Sequence, residues 1–193
     1  MQLTKKERTY QEIIQAAKVI VRDEGHNAVT VRRLAEKTGL AYTSLYYYFK
    51  DLNALLWTLR LDMIEDMIAD LSAADLQHED PVAELLAALF SYVDYFFQHP
   101  TIFRFFYFCH FDQPEGDDRY EKLQARFGGI WQASLARLVQ AQIIPAHDLD
   151  SLARTIIYAL QGMMTLSFSA NGLMSSEAVQ SELARLVQYL LKK

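Results

Sequence analysis

The chain is predicted to be all-α, with about nine helices forming an N-terminal three-helix head, residues 1–50, and a larger C-terminal helical body, residues 51–193. Three observations lead there. Apolar residues recur at spacings of three and four through most of the chain. Helix-starting residues such as Thr30, Asp51 and Ser175 stand before those periodic runs, and Gly25, Gly39 and Gly172 stand after them. No stretch alternates apolar and polar residues as a half-buried strand would.

Gln2 to Arg8 is polar and basic, with Lys5, Lys6 and Arg8, and reads as a frayed helix start. From Tyr10, the residues Ile13, Ala17, Ile20 and Val21 fall at helical spacing and end near Gly25. A short helix is then expected from Thr30, whose hydroxyl can accept from orphaned backbone N–H groups, to Gly39, which tolerates a left-handed φ. Another, about Ala41 to Tyr48, follows at once. Two helices joined by so short a turn make a helix-turn-helix, which needs a small residue where they touch, glycine in the turn and an apolar residue inside the second helix. Ala35, Gly39 and Leu45 meet those needs.

Asp51 caps the next helix, whose pattern Leu52, Leu55, Leu56, Leu59, Met63, Met67 continues to about Leu71. Residues 72–80 read as a loop, and Pro81 opens a helix running to His99. Pro100 restarts the chain into TIFRFFYFCHF, whose six aromatics between Phe103 and Phe111 are too dense for one buried stripe. This run places Cys109 and His110 side by side on a helix, pointing apart. The loop DQPEGDD follows, then helices over Arg119 to Ile143, Leu149 to Ala170, and Ser175 or Ser176 to Leu191.

In one-letter code, the order T-V-R-R-L-A-E-K-T-G-L, four residues, L-Y-Y-Y-F-K, an acidic cap and A-L-L resembles the DNA-binding domain of the TetR family of bacterial transcriptional regulators. The resemblance runs from about Ile13 to Leu56. It implies that the second short helix reads double-stranded DNA. Helical geometry turns Ala41, Tyr42, Thr43 and Tyr46 outward and Leu40, Leu45 and Phe49 inward, so Tyr42, Thr43 and Tyr46 are the base-reading candidates. Positions matching Thr30, Arg32, Ser44, Tyr47 and Lys50 contact phosphates in the family, a task suited to hydroxyls and cations. Leu52 stands where a phosphate-binding lysine is frequent, Tyr48 where histidine is frequent, and Ala41 where serine would cap the helix.

The charge distribution agrees with a partner at one end. The net charge is −5, but residues 1–50 carry nine Lys/Arg against five Asp/Glu, leaving +4 there and −9 on the remainder. A hydrophobic content of 51% provides for a buried core. No apolar run reaches the ~18 residues of a membrane span and no signal-peptide core opens the chain, so a cytoplasmic protein with no membrane partner is expected.

The resemblance further implies a homodimer whose last two helices pair across a two-fold axis. Leu152, Ile156, Ala159 and Met163, with Val179, Leu183, Leu186 and Leu190, are the candidates for that face. It also implies a cavity for a small-molecule effector. Met63, Met67, Phe90, Phe97, Phe103, Phe106, Tyr107, His110, Trp131, Tyr158, Gln161 and Met164 are the candidate lining, suited to an apolar or aromatic compound. The expected function is thus a ligand-responsive regulator, a repressor that binds a palindromic operator as a dimer and is released by its effector. No cofactor or metal is called for, because Cys109 is the one cysteine. Nor is an enzyme expected: His26, His78, His99, His110 and His147 are scattered and no nucleophile or phosphate-loop motif is present. The alternative reading is a helical protein-interaction module that does not bind DNA, which Leu52, Tyr48 and the modest basic charge leave open.

Overall fold

Nine α-helices and two short 3-10 turns make up the ordered elements of the computed structural model, which describes residues 3–73, 78–169 and 172–192; none of those residues is in a strand. The helices are α1 (Lys5–Glu24), α2 (Val31–Thr38), α3 (Tyr42–Tyr48), α4 (Leu52–Ala73), α5 (Pro81–Gln98), α6 (Pro100–Tyr107), α7 (Arg119–Gln140), α8 (Leu149–Phe168) and α9 (Ser176–Leu191). Helix α1 begins at Lys5 instead of fraying, because Thr4 and Glu7 form a capping box: the Glu7 N–H donates to the Thr4 hydroxyl, and the Thr4 N–H to the Glu7 carboxylate. The expected loop over residues 72–80 and the helix end at Ala170 lie partly outside the described residues; Ser72 and Ala73 belong to α4. Helix α7 stops at Gln140, three residues short of the expected Ile143, at a turn where Gln142 takes φ 58°.

The chain divides into two compact units. The first holds the residues to Met67 together with His99–Leu123. Ile13, Ile14, Ala17, Ile20, Leu34 and Leu45 are buried in its core, which therefore builds the three-helix head from one face of α1 and one residue from each short helix. Helix α6 packs against α1, and the Thr101 hydroxyl donates to the Arg22 carbonyl at 2.9 Å.

One charge lies inside this unit. Lys18 is 4% exposed, and its ammonium pairs with Asp62 and, at 2.7 Å, with Asp66 on α4. Burial opposes the charge, but the hydrogen bonds to the two carboxylates outweigh it and hold the pKa above that of a free lysine.

Helix α4 is gripped further up by the chain that follows α6. The Asn53 side-chain amide donates to the Asp112 carbonyl and its oxygen accepts from the Asp112 N–H, at 3.1 and 3.2 Å. One turn on, the Trp57 indole donates to Asp117 at 2.9 Å. Arg60 donates to the Phe106 carbonyl at 2.6 Å and lies over the rings of Phe111 and Tyr120. The Arg119 guanidinium binds Asp117 through two N–H groups; these bonds, opposed by burial and aided by the Trp57 indole, hold the Asp117 carboxyl well below the usual carboxylate range.

The second unit holds Ile68–Gln98 and the chain from Gln124 onward. Helix α9 packs against both α5 and α8 there. Arg137 of α7 pairs with the buried Glu84 of α5 and donates to the carbonyls of His78 and Glu79, which ties the start of α5 to α7.

Two stability measurements check these ties. Lys18→Met is expected to lower unfolding free energy by about 2–3 kcal/mol, less than a fully buried broken pair costs, because Asp62 and Asp66 keep partial access to water. An unchanged denaturant midpoint would show that the cluster does not hold α1 to α4. Asp117→Asn should cost about 2 kcal/mol at neutral pH. Because the folded pKa lies below the value of about 3.9 for an unfolded aspartate, the advantage of the unaltered chain should fade as pH falls below about 4. A difference between the two proteins that is the same at pH 3 and pH 7 would rule the ion pair out as its source.

Candidate functional site

The head presents α3 by a turn of fixed geometry. Thr30 caps α2, accepting from the Arg33 N–H at 3.1 Å, and Gly39 ends it with φ 70°. A side chain at that φ is strained, so glycine lets the chain reverse into α3 within a few residues. Ala41 contributes no side-chain cap, and the first bond of α3 is made by backbone alone, Ser44 N–H to Ala41 carbonyl at 2.8 Å. Leu45 and Phe49 seat the helix from below at 3% and 7% exposure, and the Phe49 ring stacks on Tyr10 at 5.2 Å.

The opposite face is open. Ala41, Tyr42, Thr43, Tyr46 and Tyr47 are exposed, Ser44 and Tyr48 half-buried. Tyr42 and Tyr46, one turn apart, bring their hydroxyls to 3.5 Å and their rings to 5.8 Å, making one aromatic ridge with two polar tips. The hydrogen bond with Tyr42 raises the Tyr46 phenol above its ordinary pKa, so it stays a neutral donor and acceptor at physiological pH.

Around this ridge lie groups suited to phosphate. Tyr47 projects beside it with the Lys6 ammonium 5.0 Å from its ring centroid, which brings the basic N-terminal turn of α1 next to α3. Thr30 and Lys50 are exposed, and Arg32 is exposed but pairs with Glu36 at 3.0 Å. The eight DNA-binding candidates thus belong to one head. Lys6, of the basic N-terminal stretch but outside those eight, adjoins them through Tyr47, a proximity that depends on how α1 lies beside α3.

The effector candidates divide. Met63, Met67, Phe103 and Phe106 are buried in the first unit; in the second, Trp131 and Met164 are buried, and Phe90, Phe97 and Gln161 half-buried. Tyr107, His110 and Tyr158 are surface residues, Tyr158 at 72% exposure, and so are not lining of an interior cavity. For His110 the reason is that α6 ends at Tyr107, leaving Cys109 and His110 on the loop and not on a helix. There the Cys109 sulfur sits 3.2 Å from His26 Nε2. Burial raises the thiol pKa and lowers that of His26, so the contact joins a neutral thiol to a neutral imidazole. Two residues absent from the candidates stand beside them, one in each unit: in the second, Tyr92, whose hydroxyl donates to Gln161 Oε1 at 3.3 Å, and in the first, Arg60, which donates to the Phe106 carbonyl.

The expected dimer face also divides. Leu152, Ile156, Val179 and Leu183 are buried by the chain's own packing, at i, i+4 spacing along the inner stripes of α8 and α9, Leu152 alone of the four keeping as much as 8% of its surface. Ala159, Met163, Leu186 and Leu190 are half-buried. The outer surface beside them exposes Tyr158 and Leu166 on α8 and Tyr189 on α9.

Residues 13–56 match the family model described as bacterial regulatory proteins, tetR family. No curated protein matches the chain by sequence. Among solved structures, the transcriptional regulator FadR from Bacillus subtilis, in complex with stearoyl-CoA, is similar at 16% identity, a TM-score of 0.72 and coverage of 92% of this chain and 97% of that one. RolR in complex with resorcinol is similar at 17% identity and TM-score 0.67, over 97% and 93% of the two chains. The TetR family regulator PfmR from Thermus thermophilus is similar at 21% identity and TM-score 0.63, over 93% and 97%. Residues 13–56 thus form a TetR-type N-terminal domain, and the chain as a whole has the all-α fold of these solved transcriptional regulators.

Proposed function

We propose that the chain is a transcriptional repressor that binds a palindromic operator as a homodimer in the cytoplasm and is released by a small apolar or aromatic effector. Residues 1–50 bind DNA and residues 51–193 bind the effector and the second copy. The observation that carries the reading is the exposed Tyr42–Tyr46 ridge on a helix whose other side is locked into the head, with Lys6 over the adjacent Tyr47 and Thr30 and Lys50 exposed on the same head. A surface tyrosine ridge has no packing role; on a recognition helix it offers hydroxyls and ring faces to base edges and thymine methyls, while the flanking cations and hydroxyls take phosphates.

One recognition helix of seven residues spans too few base pairs for useful specificity, and two related by a two-fold axis read an inverted repeat. The surface proposed for pairing is Tyr158, Ala159, Met163 and Leu166 of α8 with Leu186, Tyr189 and Leu190 of α9. Aromatic and aliphatic groups half or fully exposed in the single chain become buried there. The similar structures carry ligands as unlike as stearoyl-CoA and resorcinol, so the fold alone does not select an effector. In each unit taken by itself, Met63, Met67, Phe103 and Phe106 in the first and Phe90, Phe97, Trp131, Gln161 and Met164 in the second, the candidate lining favours an apolar or aromatic one. Release follows if the effector binds more tightly to a dimer whose heads are wrongly spaced, lowering operator affinity by that difference in binding free energy.

Selection of bound sequences from a random DNA pool at low and moderate salt should recover one inverted repeat. Recovery of none by a folded dimer would favour the protein-interaction alternative. On the recovered operator, Tyr46→Ala should lose discrimination between operator and mutated repeats, while Lys50→Ala should weaken binding to all sequences alike and reduce the salt slope by about 1. Wild-type binding by both variants would sink the assignment of α3. Tyr158→Arg should yield a monomer in sedimentation and bind the operator at least about a hundredfold more weakly; an unaltered dimer would place the interface elsewhere.

A further inference from the structure

The second unit contains a buried donor without an acceptor. Trp131 of α7 is 3% exposed, and among the described residues its indole Nε1 has no hydrogen-bond partner. It sits in a nest of rings: Tyr92 meets it edge to face at 5.4 Å and Phe127 at 5.1 Å. The Tyr92 hydroxyl donates to Gln161 Oε1 at 3.3 Å, and neither group accepts from the indole. An N–H left unpaired among apolar rings is destabilising, and its persistence points to an acceptor supplied from outside the chain. The rings present faces and edges suited to a planar aromatic guest. Charge is disfavoured: among the described residues the buried charged side chain of this unit is Glu84, already paired with Arg137, so an anionic or cationic guest would find no free buried counter-charge.

The route in is marked by a second feature. Gly128 and Gly129 follow Phe127 in the middle of α7 and are exposed. A Cβ built on either meets nothing within 4 Å, and neither has a positive φ, so no packing or turn demands glycine there. What the two glycines do is weaken the helix beside the half-buried Phe127, since glycine is the poorest helix former after proline. Local opening of α7 at that point would swing Phe127 aside from Trp131.

We infer that the second unit binds a neutral aromatic compound bearing an oxygen acceptor, which receives the Trp131 indole N–H, and that the compound enters where Gly128 and Gly129 loosen α7 next to Phe127. The consequence for transcription rests on the regulator reading above; the binding does not. The chain has two tryptophans, and Trp57, whose indole is bonded to Asp117, serves as an internal control.

The test is titration of the ¹⁵N-labelled full chain with acetophenone, methyl benzoate and phenol, alongside ethylbenzene, which lacks the acceptor, and benzoate, which is charged. The expected result is a downfield shift of the Trp131 indole proton with the three oxygen-bearing compounds and none at Trp57. Trp131→Phe should weaken acetophenone about tenfold while leaving ethylbenzene unchanged. If that variant does not fold, the indole signals of the unaltered chain decide. Ethylbenzene or benzoate binding as tightly as acetophenone, or no shift at Trp131 with any compound, overturns the inference. For the entry route, Gly128→Ala with Gly129→Ala should slow association and dissociation together at least about fivefold at constant Kd; unchanged rates overturn it. A compound that binds at Trp131 yet leaves operator affinity unaltered overturns the regulator reading and leaves this site standing.

Discussion

The ammonium of Lys18 is the point on which the first unit turns. It is enclosed on α1 and reaches two carboxylates one helical turn apart on α4, so neither helix can rotate or slide without stranding a charge in the core. Apolar contacts such as those of Ile13, Ile14 and Ile20 tolerate small slips; a three-membered ion cluster does not. The head is therefore positioned by a directional interaction between its longest helix and α4, and not only by the short connection through Phe49 and Asp51. The Asn53, Trp57 and Arg60 contacts, at i, i+4 and i+7, extend the same logic along α4 toward the end nearest the helix-turn-helix.

That rigidity matters because the two short helices of the head are weak on their own. Helices of eight and seven residues lie well below the length at which isolated helices persist in water, and α3 lacks a side-chain cap. Its order comes from Leu45, Phe49 and the stack of Phe49 on Tyr10. The surface tyrosines then inherit a fixed presentation from the core, so their rings meet a partner with little conformational freedom left to lose. The same division of labour appears in α8 and α9, where one stripe is consumed by the chain's own core and the adjoining aromatic surface is left for something else.

Local signals made much of this legible. Thr30 and Gly39 bracket α2 to the residue, Asp51 marks the start of α4, and Pro81 and Pro100 mark the starts of α5 and α6, because caps, prolines and left-handed glycines act within a few residues of themselves. The Thr4 and Glu7 box was equally local but sat in a polar stretch with no apolar rhythm to draw attention to it. What sequence could not reach was pairing at a distance. Lys18 and Asp66 are 48 positions apart, and Tyr92 and Gln161 are 69 apart. Tyr158 shows the corresponding limit for sites: its chemistry suits a binding wall, but which side of α8 is covered depends on neighbours that periodicity does not name. Likewise an apolar helix such as α8 does not announce which of its leucines and isoleucines the chain's own core covers.

The composition of the first unit also bears on synthesis. Its core is not closed by the residues that form the head: α6 packs against α1, Thr101 bonds to Arg22, and Asp112 and Asp117 grip α4. A nascent chain that has exposed only its basic N-terminal helices lacks the segment His99–Leu123 that completes the unit. At elongation rates of roughly 5–20 residues per second, several seconds separate emergence of α3 from emergence of that segment. An incomplete chain still attached to the ribosome thus carries a head whose unit is unfinished, and the protein completes that unit only once more than half of it has been made.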